Sequence, residues 1–443
     1  MVTTSPAGER LAKICPDGRL FSCTTQTTTR TVMRPRSAAS TSQTTASQHT
    51  GASPAALSSG LTSNVAIVTG LLLTVISLYP FLWNEKMEPR VFFDLNVYYG
   101  AVKSWLTTGN LYNWALPPEE IYGFTYPPLA ALVFAPFVLL TNAQAAGPAF
   151  LVLNVVALVL VSYLTLRGLD VSRRVALASG LWLTPLFLKF FPISFNMELG
   201  QINLFLVLLI LTDAIYLRGT RWHGVLMALA ASIKLTPAIF ALYFLATKDW
   251  KSLARFIGTG LAGIALSFAV MPHHALEFFT EKIFESDRVG SITGALNYNL
   301  LGSWSMILPA PVATALFAAS ALTVLVLTYW ACKKLHALGQ TVGAVSTVAV
   351  LGLLLSPISW THHWVWLVTF VLFAAVYGWR SSDRTYLYLA ASGALIFALP
   401  FAIWFGGHNW GTGEWPLALG LMHALPVAWA VAYLVVPVRL MKK

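Results

Sequence analysis

From about residue 61 onward the chain is a succession of apolar runs separated by short polar connections. A helix needs about 20 apolar residues to cross the hydrocarbon of a bilayer. Runs of that kind cover 62–82, 145–166, 174–192, 200–217, 252–271, 308–331, 341–357, 362–379, 385–405 and 415–437. Two runs depart from the pattern. "PPLAALVFAPFVLL" (127–140) is short and opens on two prolines, and "WHGVLMALAASIKLTPAIFALYFLA" (222–246) is long but carries Lys234 and Pro237 at its middle. The expectation is an all-α polytopic membrane protein.

The polar connections fall into two classes. "RGLDVSRR" (167–174), "RGTR" (218–221), "KDWKSLAR" (248–255), "KKLH" (333–336), "WRSSDR" (379–384) and the terminal "RLMKK" are basic; 83–126, 192–203, 272–305, 356–363 and 406–415 are aromatic and amide-rich. Basic loops mark the cytoplasmic side. The two classes separate onto opposite faces if 127–140 dips in without crossing and 222–246 crosses twice as a broken pair. That gives 12 crossings with both ends inside; a single crossing at 222–246 gives 11 and strands a basic loop. Irregular backbone at such depth survives only where protein or a cavity surrounds it.

Composition agrees. Of 443 residues 57% are hydrophobic and 10% charged, against about a quarter charged in a soluble domain. The net charge of +11 then describes orientation in a membrane, and nucleic acid is not an implied partner. Cys15, Cys23 and Cys332 are too few and too scattered for a disulfide scaffold or a zinc site. Residues 1–60, with "STSQTTASQHTGASPAALSSG", lack the large apolar residues that would offset ordering entropy. They read as a disordered cytosolic tail with a basic patch at Arg30, Arg34 and Arg36; no apolar run before 61 suggests a signal peptide.

Candidate chemistry gathers on the non-basic face. Asp94 in "FFDLNVYYGAVKSW" precedes a stripe of Tyr98, Ala101, Val102, Trp105 and Leu106 at helical spacing, as in a helix lying along the membrane surface. It serves either as an N-cap or as a general base accepting a proton from a hydroxyl, and one group can do both. "SPISWTHHW" (356–364) holds His362 and His363. Adjacent helical positions point about 100° apart, so the pair suits a phosphate contact or an interfacial anchor better than one metal ion. His273 and His274 read as anchors. "NMELGQINLFLVLL" places Glu198, Gln201 and Asn203 at a span entrance, where unpaired polar groups are costly. Lys234 in "SIKLTP" either snorkels or supplies a cation for a lipid phosphate, or for Glu198 or Asp94. The loop 272–305, with Arg288, Asn297, Tyr298 and Asn299, is long enough for a substrate lid or acceptor surface. Tyr98, Tyr126 and Trp360 join Glu198, Gln201, Asn203 and Arg288 as candidate substrate contacts. No P-loop, Gly-rich dinucleotide loop, nucleophile elbow or HExxH occurs, which favours a substrate carried by lipid over a soluble nucleotide.

Four stretches in order, "FFDLNVYYGA…GNLYNW…YGFTYPPLAAL", "GQINLFLVLLILTDA", "IKLTPAIFALYFL" and "SPISWTHHWVW", resemble the polyprenol-phosphate-mannose-dependent mannosyltransferases of actinobacteria, in the GT-C superfamily. The likeness is greatest to the α-1,2 branch that extends phosphatidylinositol mannosides, covers most of 92–370 and leaves out the amino-terminal tail. It implies a GT-C fold, about 11–12 transmembrane helices, and an active site on the periplasmic face of a bacterial plasma membrane. It also implies a polyprenyl-phosphate-mannose donor, a glycolipid acceptor, and inversion at the anomeric carbon. The family's catalytic-base position matches Asp94, and its "SWxHH" motif matches Ser359, Trp360, His362 and His363 near the donor phosphate.

The chemistry is coherent without a cofactor or metal. One-step inversion needs a base on the acceptor hydroxyl opposite the leaving group. The leaving phosphate monoester has a second pKa of about 6, so no strong acid is demanded, but a cation or imidazolium should meet its growing charge; His362 or His363 comes first, then Lys234 and Arg288. No diphosphate is cleaved and no carboxylate pair stands beside Asp94. Two rivals remain: a transporter or flippase, which predicts related halves that the chain does not display, and a GT-C enzyme for another lipid-linked sugar such as arabinofuranose.

Overall fold

Helices form where the apolar runs predict them, but many stop short of a full crossing. The computed structural model describes residues 54–83, 91–118, 122–285, 289–399 and 417–439. Most of the expected tail, Arg288 and the 406–415 connection therefore lie outside the described residues. The helices are α1 (Pro54–Ile76), α2 (Tyr79–Leu82), α3 (Phe93–Thr108), α4 (Pro128–Leu140), α5 (Ala143–Arg167), α6 (Arg173–Phe187), α7 (Phe191–Leu199), α8 (Asn203–Thr212) and α9 (Val225–Ile233). They continue with α10 (Ala241–Thr247), α11 (Trp250–Val270), α12 (Pro272–Thr280), α13 (Leu300–Ser305), α14 (Ala310–Ala337), α15 (Thr341–Leu355), α16 (Leu367–Ser381), α17 (Arg384–Ala398), α18 (Leu417–His423) and α19 (Leu425–Arg439). α1 starts seven residues inside the stretch expected to be disordered. Isolated bridges pair Ala115 with Gly123 and Asn297 with Trp360.

The described residues contain five helices long and apolar enough to cross a membrane: Thr62–Leu82, Ala145–Arg167, Trp250–Val270, Ala310–Ala337 and Thr361–Ser381. Counting two bent pairs, α6 with α7 (85°) and α18 with α19 (42°), brings the number to seven. The protein is an all-α multi-pass membrane protein, as expected, yet its full-length helices are fewer than its apolar runs. Prolines account for part of this. Pro192 opens α7 and cannot continue the hydrogen-bond ladder of α6, so the 174–192 run turns through a right angle.

The 222–246 run folds as a hairpin. α9 rises from Gly224 to Ile233, Lys234 is extended (φ −140°, ψ 129°), and a 3₁₀ turn (Thr236–Phe240) leads into α10. Both limbs return to one end, where the His223 ring packs on Phe244 (5.2 Å) and Nδ1 meets Ser252 Oγ (3.0 Å). Nine residues of α9 span roughly 14 Å, under half of the hydrocarbon thickness of about 30 Å. The run is therefore a hairpin of two short limbs with Lys234 at its tip. Its base is held by Asp213, whose buried carboxylate accepts the backbone N–H groups of Gly224 (2.8 Å) and Met227 (3.0 Å), donors that the first turn of a helix leaves unpaired.

The basic connections collect at this same end. Arg255 Nε donates to the His223 carbonyl (3.0 Å), Arg218 Nη1 to Thr341 Oγ1 (2.7 Å), and Arg380 to the Leu169 carbonyl. The long lipid-facing helices α11 and α14 bury little of their apolar surface. In contrast α5, α8, α15 and α16 form the packed centre around the site.

Candidate active site

Asp94 is set by a glycine turn on another helix. α7 ends at Gly200 in the left-handed region (φ 69°), and a Cβ there would stand 2.8 Å from Leu95 Cβ. Without that atom α3 closes onto the turn, so Asp94, next to Leu95, meets Gln201, next to Gly200. Gln201 Nε2 donates to the Asp94 carboxylate. Asp94 lies in the first turn of α3 but is not its cap: the N-cap is Phe92, with no side-chain bond. The expected stripe is also shorter than predicted. Leu95, Val97, Tyr98, Ala101 and Val102 are buried, Trp105 is half-buried and Leu106 is exposed.

From Gln201 a hydrogen-bonded layer leads to Lys234. Gln201 Oε1 accepts from Tyr126 OH (3.2 Å) and from Asn203 Nδ2 (3.3 Å), and Tyr98 OH is 2.8 Å from Tyr126 OH. Lys234 Nζ then has three partners: Asn203 Oδ1 (2.9 Å), Tyr126 OH (3.3 Å) and His363 Nε2 (3.3 Å). These three contacts engage the amine on every side open to it. The Tyr126 ring also faces the cation, 5.0 Å from its centroid. Asp94 and Lys234 thus form a charge pair relayed through neutral groups. Burial pushes the Asp94 carboxyl up to about 6, against the hydrogen bond from Gln201 and the charge of Lys234, which both pull it down. That value leaves a carboxylate mostly ionised at neutral pH yet basic enough to take a proton.

The two histidines part company. Residues 361–366 form a 3₁₀ turn, in which the carbonyl of His362 accepts from Asn203 Nδ2 (2.9 Å) while its ring packs on Phe195 (5.6 Å). The motif is braced by the 289–299 segment. Tyr298 N donates to the Ser359 carbonyl (2.9 Å), Thr361 N to the Leu296 carbonyl (2.8 Å), and Ser359 N to Asn297 Oδ1 (2.7 Å). Asn299 Nδ2 reaches the Ser356 and Pro357 carbonyls at 2.7 Å each. Asn297, Tyr298 and Asn299, candidates for a lid, are buried and hold the histidine turn in place.

A cavity of about 370 Å³ opens from this layer. Lys234, His363 and Tyr126 stand at its head, Leu235, Ile239, Phe278, Ile283, Leu355 and Ile358 are among its apolar walls, and the Lys282–Glu285 ion pair (3.2 Å) also lines it. Asp94 is half-buried, is not among the residues lining this cavity, and connects to it through Gln201 and Tyr126. An anion with a long apolar tail fits this division: charge against Lys234, tail along the walls. A smaller cavity of about 50 Å³ adjoins, lined by Asn203, Lys234, Thr236, Ser356, Ser359 and His363 among others.

Comparison with known proteins shows the family of the chain. Residues 124–357 match the family model described as "Glycosyltransferase family 87". The chain is 32% identical over 360 residues to the polyprenol-phosphate-mannose-dependent alpha-(1-2)-phosphatidylinositol mannoside mannosyltransferase of Mycobacterium tuberculosis, covering 77% of this chain and 83% of the relative. It is 35% identical over 363 residues to the polyprenol-phosphate-mannose-dependent alpha-(1-2)-phosphatidylinositol pentamannoside mannosyltransferase of Mycolicibacterium smegmatis, covering 77% and 85%. The chain belongs to glycosyltransferase family 87. No solved structure matches it.

In this family 87 glycosyltransferase the remaining candidate residues stand as follows. Asp94, Tyr98, Tyr126, Gln201, Asn203, Lys234 and His363 come together in one network. Trp360 is half-buried in the loop instead: its indole N–H donates to the Val289 carbonyl (3.2 Å), and its ring fills the space a side chain at Gly290 (φ 139°) would need. Glu198 is half-buried on α7, two residues from buried Asn196 and so turned about 200° from it. His274 ties α12 to the carbonyl of Gly109 at the end of α3 (2.9 Å). Sequence reading passed over Asn154 and Asn196, both fully buried and hydrogen-bonded to each other (3.1 Å). One amide inside "LVLNVVALVL" was the available signal, since an unpaired polar group in an apolar run is costly.

Proposed function

We propose that this glycosyltransferase transfers mannose from polyprenyl-phosphate-mannose to a hydroxyl of a phosphatidylinositol mannoside, making an α-1,2 linkage with inversion on the periplasmic face of the plasma membrane. The single observation that carries the reading is the placement of Lys234 at the head of an apolar groove, with Asp94 linked to it through Gln201 and Tyr126. The names of the relatives supply the sugar and the acceptor.

In this reading the donor phosphate exchanges one acceptor of Lys234 for its own oxygen, and the polyprenyl tail lies along Ile239, Leu355 and Ile358. The tail gains little energy there, because it leaves lipid rather than water; the groove orients the donor and the phosphate supplies the affinity. Asp94 removes the proton from the acceptor hydroxyl as the oxygen attacks the anomeric carbon. The C–O bond to phosphate breaks on the far side, and its electron pair leaves with polyprenyl phosphate. Lys234 stabilises the charge that grows on the departing oxygen. His362, whose ring is packed on Phe195, acts through its carbonyl on Asn203, and His363 through Lys234.

The test is transfer in membranes holding the full chain, with labelled polyprenyl-phosphate-mannose and phosphatidylinositol mannoside acceptors, followed by linkage and anomer determination. An α-1,2-mannoside is expected from wild type and none from Asp94→Asn. Transfer only from another lipid-linked sugar would overturn the donor assignment.

A further inference from the structure

The three asparagines behind the site form a chain with one allowed direction. It begins at Lys234 Nζ, from which Asn203 Oδ1 accepts at 2.9 Å. The other end of that amide, Nδ2, therefore points to the His362 carbonyl (2.9 Å) and shares its second hydrogen between Asn196 Oδ1 and Gln201 Oε1 (3.3 Å each). Asn196 Nδ2 in turn donates to Asn154 Oδ1 (3.1 Å), and Asn154 Nδ2 to the Phe150 carbonyl (3.2 Å), which only accepts. Two obligate acceptors, the Phe150 carbonyl at the far end and the His362 carbonyl beside Asn203, leave each amide a single orientation. Flipping any one of them sets oxygen against oxygen and nitrogen against nitrogen in a dry interior, where each lost partner carries its full desolvation cost.

We infer that Asn154 and Asn196 are positioning residues: they fix the orientation of the Asn203 amide, and through it hold Lys234 at the head of the groove. Both are fully buried, and neither lines the 370 Å³ or the 50 Å³ cavity. Asn154 lies near the middle of the 25-residue α5, so the chain anchors the hairpin tip to a full-length span. The same bond from Asn203 to the His362 carbonyl sets the turn that presents His363 to Lys234. The inference deepens the proposed function, relying on it only for the phosphate that meets Lys234.

The experiment is a double-mutant cycle in the full-length protein, reading the dissociation constant for polyprenyl phosphate, the product common to any lipid-phosphate-linked sugar. Asn196→Ala is expected to weaken that binding about 10-fold, and the KM for the glycolipid acceptor stays within 2-fold. In a Lys234→Met background the same change should alter binding less than 2-fold, because the ammonium it positions is gone. Equal weakening with and without Lys234, or parallel loss toward donor and acceptor, would overturn the inference. Should Asn196→Ala fail to fold, Asn154→Leu, nearly equal in volume, is read in the same cycle against the same limits. Polyprenyl phosphate binding that behaves as expected in a protein that transfers no mannose would reject the proposed sugar and leave the amide chain standing.

Discussion

Asp94→Asn separates catalysis from stability. The carboxyl is raised from 3.8 to about 6 because burial strips it of water, and that difference corresponds to about 3 kcal/mol held against the ionised form. The folded value lies above the unfolded one, so this carboxylate costs stability as pH rises from about 4 to 6, and the cost is constant above. An amide of the same shape carries no such charge and can still accept from Gln201 through its oxygen. Asp94→Asn is therefore expected to be at least as stable as wild type at pH 7, by up to about 3 kcal/mol. Its turnover should fall by about 10² to 10⁴, the usual contribution of a general base. In wild type, kcat should fall as pH drops through about 6, to roughly a tenth at pH 5. Thermal unfolding of the purified protein and initial rates with labelled donor across pH 4.5 to 8.5 measure both halves. Wild-type turnover in the variant, or a rate that does not change between pH 5 and 7, would refute the role given to this carboxylate.

Three further outcomes follow from the same geometry. Lys234→Met removes a positive charge that pulls the Asp94 carboxyl down, so the acid limb of kcat should move above 6, and polyprenyl phosphate affinity should drop about 10-fold or more; an unmoved limb in pH–rate profiles argues against the relay. Leu355→Trp, in the wall of the groove, should raise the KM of a long-chain donor several-fold and leave acceptor KM unchanged, an effect that shrinks with donors of short tail. Asp213→Ala strips the buried N–H groups of Gly224 and Met227 of their acceptor and should cost about 2–4 kcal/mol, read as lowered thermal stability in detergent.

The sequence by itself determined the solvent of this protein and the kinds of groups it would bring to chemistry. Apolar runs with few charges admit only helices that satisfy their own backbone in lipid, and Lys234, Gln201 and Asn203 were conspicuous because polar groups are rare in such runs. Local pattern could also announce that 222–246 was broken, since Pro237 follows Lys234 by three residues. It could not say that the run folds as a hairpin, which depends on Asp213 and Ser252 gathering its limbs at one end. Nor could it choose between His362 and His363, whose neighbours on the chain are nearly the same; Phe195 and Lys234 make the choice.

Only the tertiary structure decided which polar groups would share a hydrogen bond. Gln201 and Asp94 are 107 positions apart, and Lys234 and His363 are 129 apart. The periodicity of a run states which face of a helix is polar, but the partner of that face is set by how the helices cross. Here that depended on a missing Cβ at Gly200 and on a left-handed turn that let α3 come close. Asn154 shows the limit most plainly: one amide in an apolar run is a cost when read alone, and becomes the end of a chain once α7, α8 and the hairpin tip have packed against it.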